Sequence, residues 1–328
     1  MLGSDAASDY ERDKARFELR HFTTETGKTK FHTIIERSDH VGLYSQTKAA
    51  FTVAYEDWTQ NGRRFLNRWY ADPYRRSYER IEYGYAKPEE HAPSVYYAFP
   101  KMRHETLPPS DPENKQANVD FFLEYIGLLT GGASEGAEGT EWMLAWLAGV
   151  LVNAHDDRPV AVVLRGASGS GKSSLLALMG RVLGALLVHR TCDPLARGDV
   201  LHPKNTALLF KLLVELEDPI MPSARAIERV RALISDRVHS INAQHTGPIL
   251  VRASARVLVT TSRQSLLAEA IAPNAVTFSV SARRARDTAY WNLFYTKLDD
   301  TGYVKDVSQF LLSCSRVARS PRTKPEAR

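Results

Sequence analysis

Apolar positions in the second half of the chain follow strand spacing and helix spacing in turn, starting near residue 159. The run at 159–164 is apolar throughout and predicts a buried strand, and the apolar residues of 171–184 recur at helical spacing. The elements predicted after these are a strand, a helix, a hairpin, two strands and a helix, at 207–216, 224–234, 238–253, 255–261, 275–280 and 286–298. This alternation predicts an α/β domain with a mostly parallel sheet over 156–315.

The first hundred residues have a different pattern, in which aromatic residues dominate. Residues 1–12 are polar and predict a disordered N-terminus, and 13–101 predict a smaller, mainly helical domain. Its aromatic residues are Trp58, Phe65, Trp69, Tyr70, Tyr74, Tyr78, Tyr83, Tyr85, Tyr96, Tyr97 and Phe99. Four arginines lie among them: Arg63, Arg64, Arg75 and Arg76. Rings beside arginines can stack on the bases of a single strand, but aromatic residues are also the usual core of a small domain, and we favour the core.

Three prolines among polar residues mark 102–117 as a linker. A helical region follows at 118–155, with a largely apolar helix at 140–154 that places Trp142 and Trp146 on one face. At the other end, 316–328 is basic, contains two prolines and predicts a disordered tail.

Composition narrows the class of protein only a little. The length of 328 residues fits two or three domains, and no run is long enough to cross a membrane. Without a signal-peptide pattern, a cytoplasmic location is expected. Cys192 and Cys314 are the two cysteines, which excludes a disulfide framework and a cysteine-based zinc site. The net charge of +5 is compatible with nucleic-acid binding, but a solvated basic face would give the same count.

The segment "GASGSGKSS" follows the first predicted strand and matches the pattern G-x-x-x-x-G-K-[ST]. In such a loop, backbone N–H groups and the N-terminus of the next helix bind phosphates, so ATP is the expected ligand. The predicted nucleotide-binding residues are Gly166, Ala167, Ser168, Gly169, Ser170, Gly171, Lys172, Ser173 and Ser174. Lys172 would contact the β- and γ-phosphates, and the Ser173 hydroxyl would bind Mg²⁺. A glycine- and serine-rich surface turn is the alternative, which the flanking strand and helix disfavour.

Acidic residues end the next predicted strand, where Glu217 and Asp218 follow the apolar run and Glu215 lies within it. Because a carboxylate at the end of a buried strand is costly, a metal explains this pair better than chance does. Adjacent strand residues point to opposite sides, so one of the two can face Mg²⁺ fully. Asp218 is predicted in that role with Glu217 as its companion, and the reverse stays open. Ser262, after the strand at 255–261, is predicted to orient the attacking water.

Taken together, these segments resemble a known family. The resemblance covers "LRGASGSGKSSLLALMGRVLG", "KLLVELED", "RALISDRVHSINA", "RVLVTTS" and "TFSVSARRARDTAYWNLF", and upstream "RFLNRWYADPYRRSYERIEY" and "SVYYAFP". They are similar to the superfamily 3 (AAA+) helicase module of poxvirus-type and phage or plasmid primase-helicases. The resemblance implies a P-loop NTPase core and an ATP- and Mg²⁺-dependent homo-hexameric ring that moves on single-stranded DNA during replication. A primase or polymerase would be a possible partner.

The sequence departs from the family pattern at three places. Ser262 stands where the family usually has asparagine. The family's basic hairpin residue is replaced by the neighbourhood of Gln244 and His245. DNA contacts would then be made by Arg237, His239, His245 or Arg252.

The third departure concerns the arginine pair that acts across the subunit boundary, because Asn274 and Ala275 occupy its usual position. Arg283 and Arg284, with Arg286 nearby, could replace that pair in catalysis, and a solvated charge run is the alternative.

Three functions follow in order of preference. The first is an ATP-dependent DNA helicase or translocase acting in viral, phage or plasmid replication. The second is an ATP-binding ring or loader protein with impaired hydrolysis, which the replaced asparagine and arginines motivate. The third is another P-loop NTPase, a kinase or a packaging motor, which the short spacing and the hairpin disfavour.

Overall fold

A computed structural model of the chain describes residues 3–25, 30–36, 41–60, 62–86, 88–131, 136–152, 160–221, 223–242, 248–262 and 266–317. The chain divides into two compact units, 1–100 and 101–328. The division lies within two residues of the predicted boundary between the aromatic-rich domain and the linker.

The N-terminal unit combines three helices with a four-stranded sheet. Its elements are α1 Gly3–Glu18, β1 His21–Thr24, β2 Lys30–Glu36, β3 Val41–Gln46, α2 Lys48–Ala54, β4 Thr59–Gln60, β5 Arg63–Arg64, α3 Phe65–Ala71, β6 Ser77–Tyr78, β7 Arg80–Glu82 and β8 Val95–Tyr97. The sheet has the order β3-β2-β1-β6, and β4–β5 and β7–β8 form separate pairs. The unit is therefore mixed rather than mainly helical. Threonine and histidine residues in β1 and β2 obscure the alternating pattern that would have predicted these strands.

The prediction of a disordered N-terminus at 1–12 is wrong for the residues described, because α1 begins at Gly3. Tyr10 and Phe17 are both buried in the core of the unit. The hydroxyl of Tyr10 donates to Asp72 Oδ2 over 2.8 Å, and Lys14 Nζ lies 2.8 Å from the same oxygen. Two apolar residues on one helical face are enough to dock this otherwise polar segment.

Aromatic residues form the core of this unit, as favoured from the sequence, although of the predicted set Phe65 and Trp69 are fully buried and most of the others are half-buried. Phe17, Phe51, Phe65 and Trp69 are almost completely buried and pack together in one cluster. The ring centroid of Phe17 lies 5.1 Å from those of Phe65 and Trp69. Tyr74 is an exception, with 86% of its surface exposed.

The C-terminal unit is built on a five-stranded parallel sheet. Its elements are α4 Arg103–Thr106, α5 Lys115–Leu129, α6 Gly136–Val152, β9 Ala161–Arg165, α7 Ser174–Leu183, β10 Val188–Thr191, β11 Leu213–Glu217, α8 Ala224–Ser235, β12 Val238–Ile241, β13 Ile249–Arg252, β14 Arg256–Thr261, α9 Leu266–Ile271, β15 Ala275–Ser279, α10 Thr288–Asp299 and α11 Thr301–Val317. The strand order is β10-β11-β14-β9-β15, and each neighbouring pair is parallel. This arrangement confirms the predicted α/β P-loop core. The antiparallel pair β12–β13 is the predicted hairpin.

Several boundaries in this unit differ from those predicted. The linker at 102–117 contains α4, with Met102 and His104 buried. The strand predicted from 207 begins at Leu213, because 206–208 form a 3-10 turn and Phe210 has a φ of 64°. Helix α11, absent from the prediction, buries apolar residues one and two turns apart: Tyr303, Val304, Val307 and Leu311.

The described helices also bear on two other expectations. None of them is long and apolar enough to cross a membrane. The predicted tail at 316–328 falls outside the described residues from 318 onward, and 316–317 complete α11.

Candidate nucleotide-binding site

The loop 166–174, hereafter the P-loop, joins strand β9 to the N-terminus of α7. Gly169 and Gly171 have φ values of 77° and 92°, which favour glycine and turn the backbone sharply. Lys172 is buried, and its Nζ donates to the carbonyl oxygens of Gly166 and Ala167, both over 2.8 Å. Burial lowers the pKa of Lys172 from its ordinary value, although Asp218, Glu217 and Glu215 act in the opposite direction. A buried amine therefore holds this loop closed.

Hydrogen-bond donors of the P-loop lack protein acceptors. Within the described residues, the backbone N–H groups of Gly169, Gly171, Lys172 and Ser173 bond to no backbone carbonyl. The Ser170 hydroxyl is buried, and no partner for it is found in the part of the chain that the structure describes. A buried hydroxyl without an acceptor is rare in folded proteins, and a phosphate oxygen would satisfy it. The unbonded N–H groups of the same loop could bind the same phosphates. The loop therefore fits the phosphates of a nucleotide.

The space around the loop glycines is also tightly limited. A Cβ atom on Gly166 would lie 3.0 Å from Val280 Cβ, and one on Gly171 would lie 2.0 Å from the Trp291 ring. A side chain at either position would force the neighbouring residue or the loop to move.

Strand β11 brings Glu217 to the P-loop. The hydroxyl of Ser173 donates to Glu217 Oε1 over 3.0 Å. The two groups are thus adjacent, a serine hydroxyl and a carboxylate, which are the oxygen ligands that accompany phosphates around Mg²⁺. No cluster of three or more acidic, histidine or cysteine residues in the described ranges could hold a metal by itself. Mg²⁺ at this position would therefore depend on nucleotide oxygens as further ligands.

Asp218 faces the end of β14 instead. Its carboxylate accepts hydrogen bonds from Thr261 Oγ1 at 2.9 Å and from the backbone and hydroxyl of Ser262, both at 3.1 Å. Burial alone would raise the pKa of Asp218, but these hydrogen bonds outweigh it and hold the pKa below its ordinary value. For metal binding, the geometry therefore favours Glu217, the assignment that the sequence left open. Ser262 lies beside Asp218, as expected if both act on one water.

The sequence did not predict a role for Arg190, on the edge strand β10. It lies opposite Glu215 in the parallel register of β10 and β11. Its Nε contacts Glu215 Oε2 at 2.7 Å, and its Nη2 donates to the Ser173 carbonyl at 2.6 Å. Glu215 is completely buried, and burial raises its pKa although Arg190 acts in the opposite direction. The isolated acid in the apolar run of β11 was the one sequence signal that a counterion must lie nearby.

Aromatic residues from two distant helices also contact the P-loop. The hydroxyl of Tyr125, in α5, donates to the Gly171 carbonyl over 2.9 Å. The Tyr295 hydroxyl of α10 lies 3.0 Å from Ser174 Oγ, and Trp291 of the same helix packs on Gly171. Sequence reasoning missed all three, because a contact between distant helices leaves no local pattern.

The arginines proposed to act across a subunit boundary have different surroundings. Arg284 is bound by Asp287 and Glu124, each over 2.9 Å, and these contacts, that with Glu124 first, raise its pKa. Arg283 is exposed. The backbone N–H of Arg286 donates to the Gly169 carbonyl over 3.4 Å, so this segment also lies against the P-loop. Of the predicted pair, Arg283 is the residue whose side chain can reach another molecule.

The hairpin residues predicted to contact DNA also differ from one another. Arg237 and Arg252 are exposed. His239 is 8% exposed and lines a cavity of about 300 Å³ between the hairpin and α8, so a surface contact with DNA is wrong for this residue. Strand alternation explains the difference, since its neighbours Val238 and Ser240 point outward. His245 and Gln244 lie outside the described residues.

Comparison with known proteins supports the fold. No protein-family model and no curated protein matches the sequence. Among solved structures, the apo C-terminal region of NrS-1 is similar with a TM-score of 0.60 and 13% identity, over 90% of this chain and 71% of that one. A second structure of that region, residues 305–718, gives 0.59 and 13%, over 93% and 72%. JCV helicase aligns with a TM-score of 0.32 and 14% identity over 62% and 67%, which is too weak to carry an argument. At this identity the similarity shows a shared fold.

Proposed function

We propose that this protein is an ATP-dependent DNA helicase or translocase of the superfamily 3 type, acting in the replication of a viral, phage or plasmid element. The observation that carries the proposal is the convergence of Lys172, Ser173, Glu217 and Ser262 at the carboxyl ends of three neighbouring parallel strands. Ligands of open α/β sheets bind at this edge. The fold shared with the NrS-1 C-terminal region agrees with this proposal.

ATP and Mg²⁺ fit the residues at this edge. The N–H groups of the P-loop and Lys172 would hold the phosphates, and Ser173 with Glu217 would hold the metal. Mg²⁺ bound to phosphate neutralises charge that develops during phosphoryl transfer. To reach the phosphates, the Lys172 amine must leave the carbonyls of Gly166 and Ala167, so ATP binding replaces one set of acceptors by another.

The remaining polar residues would order the attacking water. Asp218 stays ionised at neutral pH because its pKa lies below the ordinary value. Asp218 accepts a hydrogen bond from the Ser262 hydroxyl, which fixes the orientation of that hydroxyl. The lone pairs of the Ser262 oxygen are then directed to accept a hydrogen bond from water. The serine side chain is shorter than the asparagine found in the resembling family, which supports slower hydrolysis as one consequence.

The surface residues fit a ring on a single strand of DNA. Arg237 and Arg252 at the base of the hairpin would contact backbone phosphates, whose charge dominates such binding. In a homo-oligomer, which we expect to be a hexamer, Arg283 would enter the nucleotide site of the adjacent subunit. A primase or polymerase partner is part of the same proposal.

One observation favours the second function, an ATP-binding ring or loader with impaired hydrolysis. The Ser262 hydroxyl uses its one donor on Asp218, so it can hold water only as an acceptor, whereas the asparagine of the resembling family can both donate and accept. The two functions differ in turnover and not in ATP binding.

Steady-state ATP hydrolysis with and without single-stranded DNA separates them, with Lys172→Ala as the blank. Turnover that rises with DNA supports the motor. ATP binding without DNA-stimulated turnover supports the ring or loader, and the absence of ATP binding excludes both.

A further inference from the structure

Arg190 contacts both the P-loop and the acidic strand β11, and we infer that it is a positioning residue that fixes Ser173 and Glu217 for metal binding. The inference rests on the proposed function, since it concerns how Mg²⁺ and ATP would be held. It assigns a role to a residue for which no pattern in the sequence predicts one.

The geometry joins strand β10 to both the P-loop and the acidic strand. The guanidinium of Arg190 contacts Glu215 through Nε and the Ser173 carbonyl through Nη2, at 2.7 and 2.6 Å. Its Nε also lies 4.0 Å from Glu217 Oε2. One side chain therefore reaches the backbone of the residue whose hydroxyl contacts Glu217 and, at the same time, the carboxylate of Glu217.

Glu215 holds this guanidinium in place. Its carboxylate is completely buried, and its second oxygen accepts the Thr260 hydroxyl over 2.8 Å. A buried carboxylate with two hydrogen-bond partners has a single orientation, and the planar guanidinium that pairs with it is fixed as well. Glu215 of β11 and Thr260 of β14 thus fix the position of Arg190 Nη2 relative to Ser173.

The charge of Arg190 matters for a second reason. Glu215 and Glu217 are two residues apart on β11 and therefore lie on the same side of the sheet. Two carboxylates this close repel each other, and the guanidinium between them offsets that repulsion. Glu217 can then remain beside the Ser173 hydroxyl, where a metal ligand is needed.

A purely structural role is the competing explanation, in which Arg190 only neutralises buried Glu215. The double variant Arg190→Gln with Glu215→Gln separates the two, because it removes both partners of the ion pair together and does not leave the buried residue 215 with an unpaired charge. Arg190→Lys keeps the positive charge but cannot donate to Glu215 and to the Ser173 carbonyl with the same fixed fork. Arg181→Gln is the matched control, since Arg181, on α7, forms an exposed ion pair with Asp299, on α10.

The measurement is binding of a fluorescent ATP analogue in EDTA and across a Mg²⁺ titration, together with thermal melting of each variant without ligand. We expect the double variant to melt close to the wild type and to bind the analogue in EDTA within about twofold. We expect its half-saturating Mg²⁺ concentration to rise about tenfold, as for the loss of one charge-assisted hydrogen bond. Arg190→Lys should give a smaller rise, and Arg181→Gln none.

A double variant with the Mg²⁺ dependence of the wild type would overturn the inference, because Arg190 would then be only the counterion of Glu215. A wild-type protein that does not bind the analogue at all would instead remove the proposed function, a result that the EDTA arm identifies separately. If the double variant fails to fold, the comparison of Arg190→Lys with Arg181→Gln decides, since equal Mg²⁺ dependence in these two also overturns the inference.

Discussion

The interior of the N-terminal unit and the P-loop of the C-terminal unit differ in whether their buried polar atoms have hydrogen-bond partners. In the N-terminal unit, His32 is bonded to Thr24 and Ser45, each over 2.8 Å, and His21 is bonded at both ring nitrogens. Within the described residues, the buried side-chain polar atoms without a partner all lie in the C-terminal unit, and Ser170 Oγ is the one of them that belongs to the P-loop. A buried hydroxyl left without a partner in such a loop is open to a ligand, whereas the hydrogen-bonded histidines belong to the fold.

The same comparison shows why one sequence pattern was informative and another was ambiguous. Arginines among aromatic residues suit a stacking surface as well as a core, and the burial of Phe65 and Trp69 decides for the core. The pattern at 166–174 favours a phosphate-binding loop over a surface turn, because its glycines, lysine and serine are each required by one geometry.

Gly171→Ala should have the largest effect on the P-loop side. The residue has a φ of 92°, and a Cβ atom would lie 2.0 Å from the Trp291 ring. Strain and overpacking of about 3 kcal/mol would lower ATP affinity about a hundredfold. Fluorescent-analogue binding measures this. Gly127→Ala is the control, because no atom lies within 4 Å of its Cβ position and alanine favours a helix. Equal affinity in both variants would contradict a rigid P-loop.

Separate substitutions of Glu217 and Asp218 should distinguish metal binding from the orientation of water. Glu217→Gln loses the carboxylate beside Ser173, so we expect turnover to fall about a hundredfold with a strong shift in Mg²⁺ dependence. Asp218→Asn should keep ATP binding and lower turnover without that shift, because its carboxylate faces Ser262. Initial rates across a Mg²⁺ titration distinguish them. The opposite pattern would return the metal to Asp218.

The stability of the N-terminal unit should depend on pH, because His32 is buried and hydrogen-bonded in its neutral form. Burial lowers the pKa of His32 to about 4, below the ordinary value of 6.5. The unfolded chain then binds a proton that the folded unit excludes, so stability is complete above pH 6.5 and is lost as the pH falls towards 4. The loss is up to about 3 kcal/mol. Urea denaturation between pH 4 and 7 measures it, and His32→Gln should make the dependence shallower, leaving the part due to His21, whose pKa burial also lowers. A wild type with a flat profile would argue against a neutral, buried His32.

How much of this could be predicted depended on whether the signal was local. The P-loop, the acids Glu217 and Asp218 and the hairpin each lie within one short segment, and the structure has a strand-to-helix loop, a strand end and an antiparallel strand pair there. It places Glu217 and not Asp218 beside Ser173, however. Arg190 and Trp291 meet the P-loop only through the strand register and helix packing, which no local pattern encodes. Alternation along β12 predicts that His239 and its two neighbours lie on opposite faces of the strand. Which of the two faces is buried depends on how the hairpin packs, and the sequence does not show that.

The smallest effects should come from exposed residues of the two units. Arg252→Ala would remove one phosphate contact if the hairpin binds DNA as proposed, so we expect single-stranded DNA affinity to fall a few-fold and its salt dependence to weaken by about one counterion. Tyr74 is 86% exposed in the N-terminal unit, and Tyr74→Ala should leave the affinity within about twofold if the hairpin, and not this unit, contacts DNA. Fluorescence anisotropy with an oligonucleotide at several salt concentrations measures both. A larger loss of DNA affinity for Tyr74→Ala than for Arg252→Ala would reverse the comparison. An exposed aromatic residue of the N-terminal unit would then contact DNA, and the hairpin would not.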